Sequence, residues 1–304
     1  MASSRVATLS INSPCAVSAP SGLVSWWAGE GNADDLMGTN TGTFQNGATY
    51  APGKVGYAFS FNGVNQSVNV PYNTNFNFSP SGQFSVEAWV IVNSITSYQA
   101  IAVKCPASDT WDWGVYIIPG GNFMVGSHNG FAVVSSITAQ TGQWYNVCVT
   151  YNNASWQLFV NGLTAAQGSG VSILQSSGGL GIGCKGQSTV YYDFLAGLVD
   201  EIQIYNRALT ASEIQAIYQA GTNGMCAPTP LMFTGSPSYN KTNGFVLNAS
   251  LRSSQSYHIQ ANTNLASTNW TTLTNFTAGT APIFHYTNKP PTNTPRQFYR
   301  IVSP

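Results

Sequence analysis

The chain is poor in charge. Asp, Glu, Lys and Arg make up only 7% of its 304 residues, against about 25% in an ordinary soluble domain. Lys+Arg is 10 and Asp+Glu is 10, so the formal net charge is zero. A neutral surface cannot hold a polyanion by counterion release, which excludes nucleic acid as a partner. The same shortage argues against anionic membranes and strongly acidic polysaccharides. No run of about 18 apolar residues exists, so membrane insertion is not expected. The opening Met1-Ala2-Ser3-Ser4-Arg5 lacks the apolar core of a signal peptide. Either the protein is cytosolic or a leader was lost when a fragment was cloned. The alternating Arg5–Ile11 reads as the last strand of an upstream β module and favours the fragment. Histidine is scarce, at 3 residues, so a zinc site is poorly supplied. The chain has no Ser/His/Asp set, phosphate loop, nucleotide motif or fixed-period repeat.

Asn, Ser, Thr and Gly stand where the charges are missing. That composition suits short strands joined by many turns, and secreted proteins kept soluble by hydroxyl and amide groups. Most ordered-looking segments alternate or form short β-rich runs. They include Ala58–Asn62, Ser67–Val70, Phe84–Val92, Ala100–Lys104, Gly114–Ile118, Asn122–Ser127, Trp144–Tyr151, Trp156–Val160, Leu180–Gly183 and Val199–Tyr205. Asn161-Gly162 marks a tight hairpin turn. One helix is expected over Thr210–Ala220, with Thr210 as N-cap, Glu213 completing a capping box and Gly221 as the stop. A boundary falls at Cys226-Ala227-Pro228-Thr229-Pro230. Beyond it, five β-rich runs predict a small sandwich of about 75 residues, close to the size at which one core becomes marginal. The expected organisation is a linker or strand remnant over 1–14, a large all-β domain over 15–226 and a small module over 227–304.

The five cysteines are Cys15, Cys105, Cys148, Cys184 and Cys226. Cys15 and Cys226 flank the large domain, where a bridge would tie its ends together. Cys105 and Cys184 lie beside Lys104 and Lys185 in loop-like segments and form a second candidate pair. Cys148 sits within the core-type run Trp144–Tyr151 and reads as a small buried hydrophobe. The alternative is five thiols in a reducing compartment. An odd count excludes a fully paired intramolecular set.

Several phrases, in order, resemble the laminin-G-like, concanavalin-A-like jelly roll of bacterial secreted proteins. They are Gly22–Trp27, Gly29–Asp35, Gly53–Gly63, Phe84–Val90, Gly142–Val147, Leu158–Gly162 and Gly197–Leu209. The tail around Tyr257–Gln260 and Gln297–Val302 resembles, over a shorter match, the small C-terminal β modules of such surface proteins. The resemblance implies a convex and a concave antiparallel sheet, with ligand sites on the concave face or in rim loops. It also implies, in many members, a structural calcium. Fold by itself does not give function.

Such a calcium needs several oxygens, and Asp200 with backbone carbonyls and a second carboxylate, Asp35 or Glu30, is the candidate set. The alternative is that these acids cap turns and pair with Lys54 or Arg207. Members of the family often carry Asp at the position of Asn62, and the amide weakens any site there. Sugars pack their C–H faces on aromatic rings while amides and carboxylates take their hydroxyls. Tyr98, Trp111, Asp112, Trp113, Tyr116, His128, Asn129, Phe131, Tyr191 and Tyr192 fall in or near loops. Trp111-Asp112-Trp113 is the leading candidate, since in a strand both Trp would face one way. The alternative is a core pair, which is the expectation for Trp27, Trp89 and Trp144. Carboxylate pairs with the spacing of a glycosidase are not found. Asp109 and Asp112 have the wrong parity, Glu87 stands alone, and Asp200 and Glu201 are adjacent and should face opposite sides.

The sequence therefore reads as a non-catalytic module of a secreted or bacterial cell-surface protein, binding a neutral glycan or polysaccharide. Two alternatives stand beside it. One is a structural or adhesive protein that binds protein or self-associates through strand edges. The other is a glycan hydrolase or lyase with an unfamiliar acid pair.

Overall fold

A computed structural model describes residues 17–105, 110–187, 190–226, 232–233, 238–240, 244–250, 256–263, 269–277, 283–288 and 298–302. The chain divides into two compact units, Met1–Ala227 and Pro228–Pro304.

In the first unit the opening strands are β1 (Val17–Ser18), β2 (Leu23–Trp27), β3 (Thr43–Gln45), β4 (Thr49–Pro52), β5 (Tyr57–Asn62) and β6 (Ser67–Val70). The middle holds β7 (Gln83–Val92), β8 (Gln99–Cys105), β9 (Trp113–Ile117), β10 (Asn122–Ser127), β11 (Gly130–Thr138), β12 (Tyr145–Asn152), β13 (Ser155–Val160) and β14 (Leu163–Ser169). It closes with β15 (Gly179–Ile182), β16 (Lys185–Gln187), β17 (Val190–Tyr192), β18 (Ala196–Tyr205), the helix α1 (Ala211–Ala220) and β19 (Met225–Cys226).

Two antiparallel sheets form from these strands. One runs β11-β10-β9-β8-β15-β6-β3, the other β14-β13-β12-β7-β18-β5-β4 with β2 paired to β18. This is the jelly-roll sandwich expected from the sequence. The opening and closing phrases are direct neighbours, with Ile202 opposite Trp27 and Ile204 opposite Ser25. Beyond them β1 pairs with β19 in parallel, Val17 with Met225 and Ser18 with Cys226.

Alternation explains the core. On β7, Phe84, Val86, Ala88, Val90 and Val92 point between the sheets, and Trp113, Val115 and Ile117 of β9 meet them from the other side. Burial of this apolar surface is the dominant favourable term. The opposite face of β7 is also buried, because α1 lies on it. Ile214, Ile217 and Ala220, spaced by three residues, face the sheet, and Trp89 stacks on Tyr218 with centroids 5.7 Å apart. α1 starts where expected. Thr210 caps it, the capping box with Glu213 is formed, and Gly221 ends it. Arg207 grips Glu213 at 2.6 Å and reaches back to the Ser21 carbonyl at 2.9 Å.

Among its described residues, the second unit holds two small antiparallel sheets. Gly244–Ser250 is the hub of one, and Ser256–Asn262 lies between Thr271–Thr277 and Phe298–Val302 in the other.

Three expectations need correction. Cys105 and Cys184 are both thiols. The Cys105 thiol donates to the Thr110 carbonyl at 3.1 Å, and burial pushes the Cys184 thiol up to about 11. Trp111 and Trp113 face opposite ways, because β9 begins only at Trp113 and the residues before it do not alternate as a strand. Trp144 is half-buried, outside the core. Cys15, the other half of the first candidate bridge, lies outside the described residues. Cys148 is fully buried, as a small hydrophobe should be.

Candidate functional site

The face of the β8-containing sheet that looks away from the core is apolar and carries rings. Ala100, Val103, Trp111, Tyr116 and Met124 form a cluster on it. Trp111 meets Tyr116 edge-on, with centroids 5.4 Å apart and planes at 71°. Register sets this arrangement. Tyr116 is the cross-strand partner of Met124 on one side and of Ala100 on the other.

Above this floor stand exposed rings. Tyr98 is 42% exposed, Phe131 55% and Tyr192 44%. The first two come from opposite ends of the strands. Tyr98 precedes Gln99, which pairs with Ile117, whereas Val103 pairs with Gly114. Gly114 in turn pairs with Gly126, and Gly126 with Phe131. Even so, the Tyr98 and Phe131 rings lie 6.4 Å apart, which makes a hollow of this face. Glycines let neighbouring backbone pack closely at its edges. A Cβ at Gly126 would lie 2.4 Å from the Gly130 carbonyl oxygen, and one at Gly181 2.6 Å from that of Cys184. His128 is exposed beside the floor, its backbone N–H bonded to the Trp111 carbonyl at 3.0 Å. Asn129 donates its side-chain amide to the Ser172 carbonyl at 2.9 Å. The Lys185 ammonium stands 5.5 Å from the Tyr192 ring centroid.

The sequence candidates thus divide. Tyr98, His128 and Tyr192 are exposed, and Trp111 lies in the floor with an exposure of 8%. Asp112 and Trp113 are corrections. Trp113 is a core residue packed on Phe84 at 5.3 Å. Asp112 forms a buried ion pair with Lys104 at 2.5 Å and takes the Ser176 N–H and hydroxyl, each at 3.0 Å. Burial pulls the Lys104 amine down, against the pull of Asp112. Neither residue is offered to a ligand. The side chain of Tyr191 lies outside the described residues. Phe131 matters more than its sequence context suggested, because only register puts it across from Tyr98.

The acids gather elsewhere, on the outer face of the other sheet. Asp200 takes the Lys54 and Val55 N–H groups on Oδ2, at 2.8 and 2.9 Å. Its Oδ1 is buried with no partner. Glu30 takes the Tyr57 N–H at 3.1 Å from the same loop. Burial pushes the Asp200 carboxyl up to about 7 against those amides, and the charge of Glu30 adds to the rise. An orphaned acid oxygen next to a second acid fits a hard cation. Asp35 does not join them. It caps its own turn, taking the Trp26, Met37 and Asn40 N–H groups at 2.9, 2.9 and 3.1 Å. Asn62 likewise caps a turn, through the Val64 and Asn65 N–H groups at 2.9 and 3.2 Å. Among the described residues no three of His, Cys, Asp and Glu gather as a metal site.

Asp200 and Glu201 do not face opposite sides. Trp89 is opposite Asp200 and Glu87 is opposite Gln203, so β18 has one extra residue there. Glu201 takes it up at φ 55°. Such a β-bulge resets alternation, and it brings Glu201 into a small cavity with Glu87 and Gln203. Glu87 therefore does not stand alone. Burial pushes its carboxyl up to about 8, although the Asn146 amide donates to it, and the charge of Asp200 adds to the rise. Glu201 is pushed well up by burial and then by Asp200 and Glu87. A bulge leaves no mark in the residue pattern, so alternation alone could not reveal this.

The profile of the concanavalin A-like lectin/glucanases superfamily matches residues 62–215, just over half of the chain. No curated protein matches it in sequence. Among solved structures, domain 4 of AbnA, an extracellular arabinanase of Geobacillus stearothermophilus in complex with arabinotriose, is 21% identical with a TM-score of 0.52. That match covers 64% of this chain and 96% of that one. The binding domain of Paraclostridial Mosquitocidal Protein 1 is 16% identical with a TM-score of 0.54, covering 75% and 64%. Trypanosoma rangeli sialidase, in complex with sialic acid, is 19% identical with a TM-score of 0.53. There 67% of this chain covers only 34% of the sialidase. At these identities the likeness is one of fold.

Proposed function

The chain belongs to the concanavalin A-like lectin/glucanase superfamily, and from that premise we propose that its first unit is a non-catalytic carbohydrate-binding module. The ligand is a neutral glycan or polysaccharide, and the site is the ring-lined hollow over β8–β11. The observation that carries this reading is the Tyr98–Phe131 ring pair, exposed and meeting over an apolar floor. Aromatic rings offer large, rigid apolar area with a polar tip, which suits the C–H faces and hydroxyls of a sugar. His128 and Asn129 supply polar groups at the margin. The arabinotriose held by the AbnA domain supports the same reading. The paired acids Glu87 and Glu201 lie on the other sheet, beneath α1, lining a space too small for a sugar ring, so they do not argue for glycan cleavage.

The test is titration of neutral polysaccharides against the wild type, Tyr98→Ala, Phe131→Ala and, as a control, the exposed Tyr57→Ala. The first two should weaken binding at least about fivefold, about 1 kcal/mol for one ring, and the control should not. Equal affinity in all four would remove the hollow as the site. Binding of no polysaccharide would remove the carbohydrate reading and leave the adhesive one.

The same proposal carries two further parts. The module belongs to a secreted or cell-surface protein, where a Cys15–Cys226 bridge would tie the ends that β1 and β19 already pair. A structural calcium would be held by Asp200 and Glu30, reinforcing the loop they already grip. Chelation should then lower Tm in the wild type and leave Glu30→Gln unmoved.

A further inference from the structure

The zero net charge of the chain is an average over two unlike units. All 10 acids lie in the first unit, between Glu30 and Glu213. The second unit, Pro228–Pro304, carries Lys241, Arg252, Lys289, Arg296 and Arg300 and no Asp or Glu. The balance of charge that argued against polyanions therefore belongs to the whole chain and not to this unit. A module whose charges all share one sign repels itself and is relieved when an anion is brought up to it.

A second copy of the chain does not supply that anion. In the first unit Asp35, Glu87, Asp112, Asp200 and Glu201 are buried, and Glu213 is held by Arg207 at 2.6 Å. Among the described residues little acid is left on the surface to receive five bases. Register gathers part of the positive charge. Asn240 is opposite Gly244 and Asn288 is opposite Phe245, so Ser238–Asn240 and Ile283–Asn288 finish at the same end of their sheet. The residues that follow them in sequence are Lys241 and Lys289. In the other sheet Arg300 is on Phe298–Val302, at the register position opposite Gln260.

We propose that the second unit docks an acidic polysaccharide, one that carries carboxylates along a chain of hydroxyls. Three of its bases are arginine, whose planar fork matches a carboxylate. Thr, Asn and Ser are plentiful between them in sequence and bring donors and acceptors for sugar hydroxyls. Other polyanions fit less well. A bilayer surface is held by an amphipathic helix or a dense basic cluster. The described elements of this unit are all strands, and its closest two bases, Arg296 and Arg300, are four residues apart. Duplex nucleic acid carries a charge about every 1.7 Å, a density that five scattered bases do not match, whereas one carboxylate per sugar is spaced more widely. This docking does not rest on the hollow of the first unit, which takes uncharged sugar on aromatic rings.

The experiment titrates polygalacturonate, and the same polymer fully methyl-esterified, against the full chain at neutral pH. The acid form should bind, and should weaken about tenfold as sodium chloride rises from about 50 to about 200 mM. The ester, which lacks the charge, should bind at least about tenfold more weakly. The triple variant Lys241→Gln, Lys289→Gln, Arg296→Gln should lose affinity for the acid form severalfold, and Tyr98→Ala should keep it. No binding of the acid form, equal binding of the ester, or an affinity indifferent to salt would each overturn the proposal. So would a triple variant that binds like the wild type, or a loss in Tyr98→Ala, which would place the polymer in the hollow. Tighter binding to duplex DNA or to phosphatidylglycerol vesicles at the same concentration of anionic groups would overturn the choice of partner. Should the triple variant fail to fold, the ester comparison and the salt dependence of the wild type decide.

Discussion

At the scale of single residues, the buried Lys104–Asp112 pair is a liability that becomes visible only when broken. Each partner is 1% exposed. Lys104→Met leaves a buried carboxylate without its counter-charge and should cost about 3–5 kcal/mol. Replacing both, as Lys104→Met with Asp112→Leu, should restore part of the loss, because the apolar pair removes the unpaired charge but leaves the Ser176 N–H and carbonyl without their partners. Urea unfolding of the two single variants and the double variant measures the difference. The sequence showed Asp112 as a carboxylate between two tryptophans. It could not show that a lysine eight residues earlier, on the neighbouring strand, would claim it.

At the scale of elements, α1 and the hairpins were the most legible parts. Thr210, Glu213 and Gly221 are local signals, and local signals survive folding. Glu213 makes the start of α1 sensitive to acid. Arg207 holds its carboxyl down at about 2, below the ordinary glutamate range near 4.3. A depressed folded value means that the stabilisation is present above that ordinary value and lost as pH falls toward 2. Thermal unfolding from pH 5 to pH 2 should show a steeper loss in the wild type than in Glu213→Gln. The β13–β14 turn is equally explicit. Asn161 and Gly162 have φ of 53° and 75°, as a two-residue hairpin requires, and a Cβ on Gly162 would come within 3.0 Å of Tyr218. Gly162→Ala should therefore cost about 1–2 kcal/mol in denaturant unfolding. The β18 bulge was not legible. Glu201 looks like any strand residue in sequence, and its left-handed backbone decides which side of the sheet it serves.

At the scale of the whole molecule, two compact units imply separable behaviour. Residues 15–227 produced alone should unfold in one cooperative transition and keep the polysaccharide affinity of the full chain. Calorimetry and the same titrations check both. The two-sheet architecture followed from ordered phrases such as Gly22–Trp27 and Gly197–Leu209, which do pair. The hollow did not follow from them. Tyr98 and Phe131 meet because register across four strands delivers them to the same place, and register is written in no short phrase.

The parallel pairing of β1 with β19 also has a mechanical meaning. One segment enters at the start of its strand and the other leaves at the far end of its neighbour, so tension on the chain drags the two past each other along their length. Every bond between them then bears the load together, and none can be peeled open in turn. A module tethered to a surface at one side and to cargo at the other would resist flow through this seam before its sandwich felt any force.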